Sequence, residues 1–416
     1  MNALDADHPL CVLIAPSGFK EALSAAAAAD AMAAGVTRAM PSATILKSPM
    51  IDGGEGFTEA LVARTRGTIH RVRVTGPLGE PVDACFGALG GRLVKTATVE
   101  VAAAAGLALV PPDRRDPTRT TSFGVGQLIR AALDHGAEEI LIGCGDSGVN
   151  DAGAGMAQAL GVRLLDATGE ELGFGGGALA RLQCIDIAGC DPRLRNVRIK
   201  AAVNWQNVLI GEQGVTHVYA AQKGATASQI DELKGALANL AACIEQATGL
   251  DIRHAPGTGA SGGLGAGLVA FAGATLHPRF ELLLDFTDFR EHLAAADIVL
   301  TAEGEIDGRS VLGKVPGEVG RRAAAHGIPV IALAGAIGQG DEVVLDHGID
   351  AFASIADGCY TREEAIRNSA ALLERAAGSA MRMVAAGMRI RPRAANQPQI
   401  TGSRAIPRGD SSAPSG

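Results

Sequence analysis

The 416-residue chain predicts an α/β protein, in which a doubly wound five-stranded parallel sheet is interrupted by a second, inserted α/β domain containing antiparallel strands. Three observations carry this expectation. Short, fully apolar runs followed by helical segments open the chain and return near its end, as buried parallel strands require. Between them, residues 70–110 switch to alternating polarity broken by Gly and Pro, the mark of antiparallel hairpins. Glycine, with 55 copies, is common enough for close helix–sheet packing and for loops whose backbone approaches a ligand.

The elements follow in order. "CVLIAP" is a strand, and an Ala-rich helix runs from about Lys20 to Met40. "ATILKSPM" is the second strand and "GEGFTEALVART" opens the next helix. "HRVRVTG", "PVDACFGAL" and "LVKTATVEVA" supply the hairpin strands. The α/β rhythm resumes with "EEILIG" as strand, "AGAGMAQALG" as helix and "VRLLD" as strand. "VRIKAAV" and "VTHVYA" read as further strands, and Ser228 to Thr248 as a long helix. After the glycine-rich "GTGASGGLGAG" and another helix come three apolar strands, "DIVLTAEG", "PVIALAG" and "AFASIAD", each followed by a helical segment.

Joining those three strands to the first two completes the five-stranded sheet. The implied boundaries are 1–72 with 283–388 for the discontinuous parallel-sheet domain, and 73–282 for the insertion. Residues 389–416, rich in Pro, Ser, Gly and Arg, read as a disordered tail. A cleft between two such domains, at strand carboxyl ends, is where a ligand is expected.

Composition narrows the function classes. A net charge of −8 offers no basic field for nucleic acid. Seven cysteines without a C-x-x-C pair or zinc spacing read as reduced thiols in a cytoplasmic protein. The acidic N-terminus with no long apolar run after it predicts neither a signal peptide nor a membrane span. Chain length leaves a homo-oligomer open.

The stretch "EEILIGCGDSGVNDAGAGM" holds three signatures at once. Gly143, Gly145 and Gly148 spell the dinucleotide fingerprint, with Asp166 about where a ribose-binding acid belongs. However, Asp146 and Asp151 would set negative charge beside a pyrophosphate. "GDSG" matches the loop of trypsin-like nucleophiles, yet Ser147 lies between an α/β strand and its helix, not on paired barrels. The remaining reading is a polar set, Asp146, Ser147, Asn150 and Asp151, that binds a substrate hydroxyl or hydrated Mg²⁺. Its structural alternative is a helix N-cap by Asn150 or Asp151.

Other strand ends carry related loops. "APSGFKEALSA" places Ser17 in a turn and Lys20 at a helix start, where a cation opposes the dipole and suits anion binding. "MIDGGEG" flanks Gly53 and Gly54 with Asp52 and Glu55. "TAEGEIDGRSVLGKVPGEV" offers Glu303, Gly304, Glu305, Asp307 and Lys314. Its G-x-x-x-x-G-K is not a P-loop, because Val315 stands where Ser or Thr would hold Mg²⁺. Acidic glycine loops converging with lysines suit phosphoryl transfer, in which positioning and charge neutralisation do most of the work.

Taken in order, "APSGFKEALSA", "DGGEG", "VTGPLGEPV", "GDSGVNDAGAGM", "QKGAT", "GASGGLGAG" and "AEGEIDGRSVLGK" resemble the bacterial glycerate kinases that make 2-phosphoglycerate. The likeness runs from about Val12 to Ala386. It implies ATP-dependent phosphorylation of D-glycerate with Mg²⁺, and a flavodoxin-like domain split around an inserted one. Phosphorylation to 3-phosphoglycerate is the close variant, and a hydroxy-acid oxidoreductase using NAD or an inactive ligand-binding relative are the competing classes. On this resemblance Lys20, Asp52, Glu55, Asp146, Asp151 and Lys314 are the catalytic candidates. Ser17, Gly53, Gly54, Gly145, Ser147, Asn150, Lys223, Gly224 and Gly304 are binding candidates, and Asp52, Glu303 and Asp307 candidate metal ligands. Many relatives carry Asp-Ser in place of Ser17-Gly18 and a glycine in place of Asp146.

Overall fold

The computed structural model describes residues 9–19, 22–51, 53–311 and 313–390. The expected tail from 391 onward therefore lies outside the described residues, as do Lys20 and Asp52.

The chain begins with β1 (Cys11–Ile14), α1 (Ala25–Ala39), β2 (Thr44–Lys47) and α2 (Phe57–Thr65). Next come β3 (Thr68–Thr75), β4 (Pro81–Ala88), β5 (Thr96–Glu100), the short α3 (Ala102–Ala105) and α4 (Phe123–Asp134). β6 (Glu139–Gly143), α5 (Ala154–Ala159), β7 (Arg163–Leu165), β8 (Cys184–Asp186) and β9 (Arg198–Val203) follow. A helical stretch comprises α6 (Val215–Tyr219), α7 (Ala227–Thr248) and α8 (Ala260–Ala272). β10 (Thr275–Pro278), α9 (Arg279–Leu284) and α10 (Phe289–Ala295) lead back to β11 (Ile298–Ile306). The described chain closes with α11 (Val315–Ala325), β12 (Val330–Ile337), β13 (Ala351–Ser354), α12 (Arg362–Arg367) and α13 (Ser369–Met388).

The first sheet has the order β13-β12-β11-β1-β2, and every pair in it is parallel. Counted along the chain this is 2-1-3-4-5, the flavodoxin-like order, with its switch point between β1 and β11. Both faces are covered, which is why the strands read as unbroken apolar runs. Val12 and Ile14 meet α1 and α13 through Met32, Val36, Leu373 and Met381. Leu13 turns the other way, onto Phe289, Leu293 and Val319 of α10 and α11.

The second sheet runs β10-β9-β6-β5-β4-β3, parallel from β10 to β5 and antiparallel from β5 to β3. One face buries Val99, Ile140, Ile142 and Ile199 under Leu128 and Ile129 of α4 and Leu264 and Leu268 of α8. Its other face takes Phe57 and Leu61 of α2 against Leu141 and Ala202. The helix that follows β2 thus packs on the second sheet, although the boundary at residue 72 groups it by sequence with the first.

One local expectation is corrected. "VTHVYA" is mostly the helix α6, not a strand, and its run of five to six residues is too short for periodicity to decide between the two. The helical segment expected after β12 is a 3₁₀ run, Asp341–His347.

Candidate active site

The carboxyl ends of β2 and β11 in the first sheet and of β5, β6 and β9 in the second bring their loops together. The closest approach is backbone on backbone. A Cβ on Gly145 would stand 2.5 Å from the Cα of Gly54, and one on Gly143 would meet the Phe57 ring at 2.6 Å and the Gly53 carbonyl at 2.8 Å. Glycine is required there by another chain segment. The Glu55 amide donates to Asp146 Oδ2 at 3.2 Å across this crossing. Further along, Asn204 Oδ1, just past β9, lies 3.4 Å from where a Gly313 Cβ would be. Arg279 donates from Nε and Nη2 to the Gly313 carbonyl, at 3.1 and 2.8 Å.

Three non-glycine residues around the loop after β6 sit in the left-handed region: Asp146 (φ 46°), Ala152 (φ 49°) and Ser261 (φ 52°). Such backbone costs free energy for residues with a Cβ and gathers at functional sites. Aspartate tolerates it better than most residues, and glycine tolerates it without strain.

The rest of this loop turns inward. Asp151 is fully buried and accepts four hydrogen bonds, from Ser122 N (2.7 Å), Ser122 Oγ (2.9 Å), Gly153 N (3.1 Å) and Gly155 N (3.2 Å). Burial raises its pKa while those donors oppose the rise. The oxygens of Asp151, a catalytic candidate in the sequence, are engaged inside the protein, tying β6's loop to the start of α4 and α5. Asn150 is likewise buried, its Nδ2 donating to Thr216 Oγ1 at 3.0 Å. Lys223, buried beneath the loop, donates to the Val149 carbonyl (2.6 Å) and to Ser147 Oγ (3.0 Å). Burial pulls its pKa down to about 7, with Asp151 pulling the other way. Gly224, at φ 96°, turns the chain against Arg115, so its glycine serves the turn.

The loop after β11 presents a different arrangement. Asp307 is buried and gripped by Arg309 through Nε (2.9 Å) and Nη2 (2.7 Å), by Lys314 Nζ (3.2 Å) and by Ser310 Oγ (3.3 Å). Burial would raise its pKa, but these cations hold it below the usual carboxylate range. Asp307 therefore acts as the anchor that places Lys314, which is only a quarter exposed and sits just before α11. Glu303 and Gly304 lie within β11, and Ser17 is joined to its neighbour Ala302 by a 2.8 Å backbone hydrogen bond. Among the described residues no group of three or more His, Cys, Asp and Glu side chains is disposed to hold a metal ion.

Of the sequence candidates, then, Gly53, Gly54, Glu55, Gly145 and Asp146 meet at one crossing. Ser17, Glu303, Gly304 and Lys314 lie at the neighbouring strand ends, while Ser147, Asn150, Asp151 and Lys223 form a buried support. Sequence reading missed Ser122, whose partner is 29 residues away, and Glu100, which reads as the charged end of a hairpin strand. The G-x-G-x-x-G match dissolves as well. Gly148 packs against Leu107 and Gly106, completing a backbone contact in which Ser147 bridges Gly106.

Fold and site together define an α/β enzyme built on two large sheets, with a polar, glycine-lined meeting of their strand ends. The chain belongs to the glycerate kinase family, whose model matches residues 12–385. It is 47% identical over 366 residues to the glycerate kinase of Bacillus subtilis, covering 88% of this chain and 95% of that one. It is 44% identical over 378 residues to the glycerate 2-kinase of Escherichia coli, covering 91% and 99%. A crystal structure of a Salmonella typhimurium LT2 protein superposes with a TM-score of 0.72 at 43% identity, covering 92% of this chain and all of that one. A kinase family implies ATP as a substrate. No described helix is long and apolar enough to cross a membrane.

Proposed function

We propose that the protein transfers the γ-phosphoryl group of ATP to D-glycerate, giving ADP and 2-phosphoglycerate, where the two sheets' strand ends meet. The observation that carries this reading is the crossing of Gly53–Gly54 with Gly143–Gly145, which sets Asp146 against the Glu55 amide in a chain of this family. In the transfer, the glycerate hydroxyl oxygen bonds to the γ-phosphorus as the bond to the β,γ-bridging oxygen breaks. Asp146 hydrogen-bonds the attacking hydroxyl and orients it, and the hydroxyl proton passes to a phosphoryl oxygen or to water. Lys314, pre-placed by Asp307, and Lys20 neutralise phosphate or the substrate carboxylate. Lys223 acts from below by holding Ser147 and the Val149 carbonyl in place.

Mg²⁺ would neutralise charge on the ATP phosphates. It binds through one or two carboxylates together with phosphates and water, so it needs no protein cage. The half-buried Glu303 carboxylate on β11 fits that requirement. Glu303 and Asp52 are the residues that would hold it, since Asp307 is already engaged by Arg309 and Lys314.

The test is direct. The purified protein, given ATP, Mg²⁺ and D-glycerate, should form ADP in a coupled assay and a phosphoglycerate identified as the 2-isomer by phosphorus NMR. The 3-isomer would move the transfer to the other hydroxyl, and no ADP with D-glycerate would refute the reading.

A further inference from the structure

Glu100 ends β5, and its side chain is buried at the seam of the two sheets, with the residue only 6% exposed. Its Oε2 accepts from the Thr58 amide at 3.2 Å, and the Gly56 amide also donates to the carboxylate. Both amides belong to the start of α2, whose N-cap is Gly56 in the left-handed region and which has no side-chain cap of its own. A side chain of the second sheet therefore caps, from a distance, the helix that follows the Gly53–Gly56 loop. That same loop crosses Gly143 and Gly145 and gives the Glu55 amide to Asp146.

The charged surroundings do not favour a carboxylate. Glu59 from α2 and Glu55 from the loop face it with like charge, while the Cys85 thiol on β4, kept protonated by burial, lies nearby with Arg71 on β3 beyond it. Among the described residues no basic side chain is hydrogen-bonded to it. Burial raises its pKa to about 7 against the pull of the two amides. A glutamine of the same shape would escape that penalty, so stability alone does not explain the acid.

We propose that Glu100 is a positioning residue for phosphoryl transfer, its carboxylate drawing in the Gly56 and Thr58 amides and so fixing the Gly53–Gly56 loop against Gly143–Asp146. The proposal rests on the reading that this crossing is the reaction site. The ionised carboxylate is the stronger acceptor, so the loop is best held once Glu100 has lost its proton. Folded Glu100 binds that proton more tightly than the unfolded chain does. Its ionisation therefore lowers stability as pH rises from about 4.5 to about 7, while it completes the site. Stability and activity move in opposite directions over this window.

Glu100→Gln separates the two. At pH 8 the variant should unfold at a higher temperature than wild type, yet show kcat lower by about tenfold, the scale of a small misplacement of reacting groups. The wild-type kcat should rise with pH through about 7, and this limb should be missing in the variant. A variant that keeps the wild-type kcat and the same limb overturns the proposal, as does one that is less stable than wild type at pH 8, the behaviour of a plain structural cap. Wild type also provides a test that needs no variant. After correction for intrinsic exchange, amide hydrogens of residues 54–62 should be better protected at pH 8 than at pH 6, and equal protection overturns the proposal. A wild type that makes no ADP from ATP and glycerate overturns the functional reading itself, a result distinct from an active wild type whose limb survives in the variant.

Discussion

Gly145 and Gly54 cross backbone against backbone, so that a Cβ on Gly145 would stand 2.5 Å from the Gly54 Cα and 2.7 Å from its amide nitrogen. One glycine follows β6 in the second sheet and the other follows β2 in the first. Their contact sets how near the Asp146 carboxylate comes to the loops of the first sheet. No flexible side chain is present at the crossing to yield. Gly145→Ala should therefore push the loops apart, costing about 1–3 kcal/mol of stability and lowering kcat roughly 100-fold. Gly173→Ala is the control, because a Cβ there meets nothing within 4 Å. Urea titration and steady-state kinetics on both variants check the expectation, and an unimpaired Gly145→Ala would remove the crossing from the mechanism.

Asp146 and Asp151 should respond in opposite ways. Asp146 occupies left-handed backbone that glycine adopts without strain, so Asp146→Gly should leave stability within about 1 kcal/mol of wild type. It should reduce kcat by about tenfold, through loss of the hydrogen bond that orients the hydroxyl. Asp151→Asn turns an amide toward a pocket of four donors. It should cost about 3–5 kcal/mol, the range for breaking a buried charged network, and lose activity only in step with folding. Were Asp151→Asn to fold normally and lose turnover, Asp151 would be the reactive carboxylate after all.

These two residues also show how far the sequence could be read. The membership of the first sheet was legible because its central strands are buried on both faces, and unbroken apolar runs such as "CVLIAP" and "DIVLTAEG" satisfy that. The loops were legible as a set, since acidic glycine turns after parallel strands are unusual. Individual roles were not. What selects glycine at 145 is a loop 91 positions earlier in the chain, and what saturates Asp151 is Ser122, 29 residues before it. Local pattern carries no trace of such partners. Glu100 was hidden for the same reason: a charged residue at a strand end reads as solvated until α2 is seen to lie on the second sheet.

Lys223 allows a prediction with a definite sign. Its amine is enclosed beneath the loop after β6, and burial lowers its pKa from 10.5 to about 7, opposed by Asp151. Between those values the unfolded chain holds the proton that the folded protein has released. Stability must therefore rise with pH from about 7 toward 10.5, by an amount on the order of a few kcal/mol across the whole range. The penalty for burying the charged amine is fully present below pH 7. Lys223→Met removes the titrating group and the penalty together, while leaving Ser147 Oγ and the Val149 carbonyl without this donor. The midpoint of urea unfolding, measured at pH 7, 8 and 9, should climb in wild type and stay nearly level in Lys223→Met. Kinetics on the same samples should show kcat reduced in the variant at every pH, because the amine positions Ser147 whether or not it is charged. An equal climb in both proteins would assign the alkaline gain in stability to other groups and leave Lys223 protonated in its buried site.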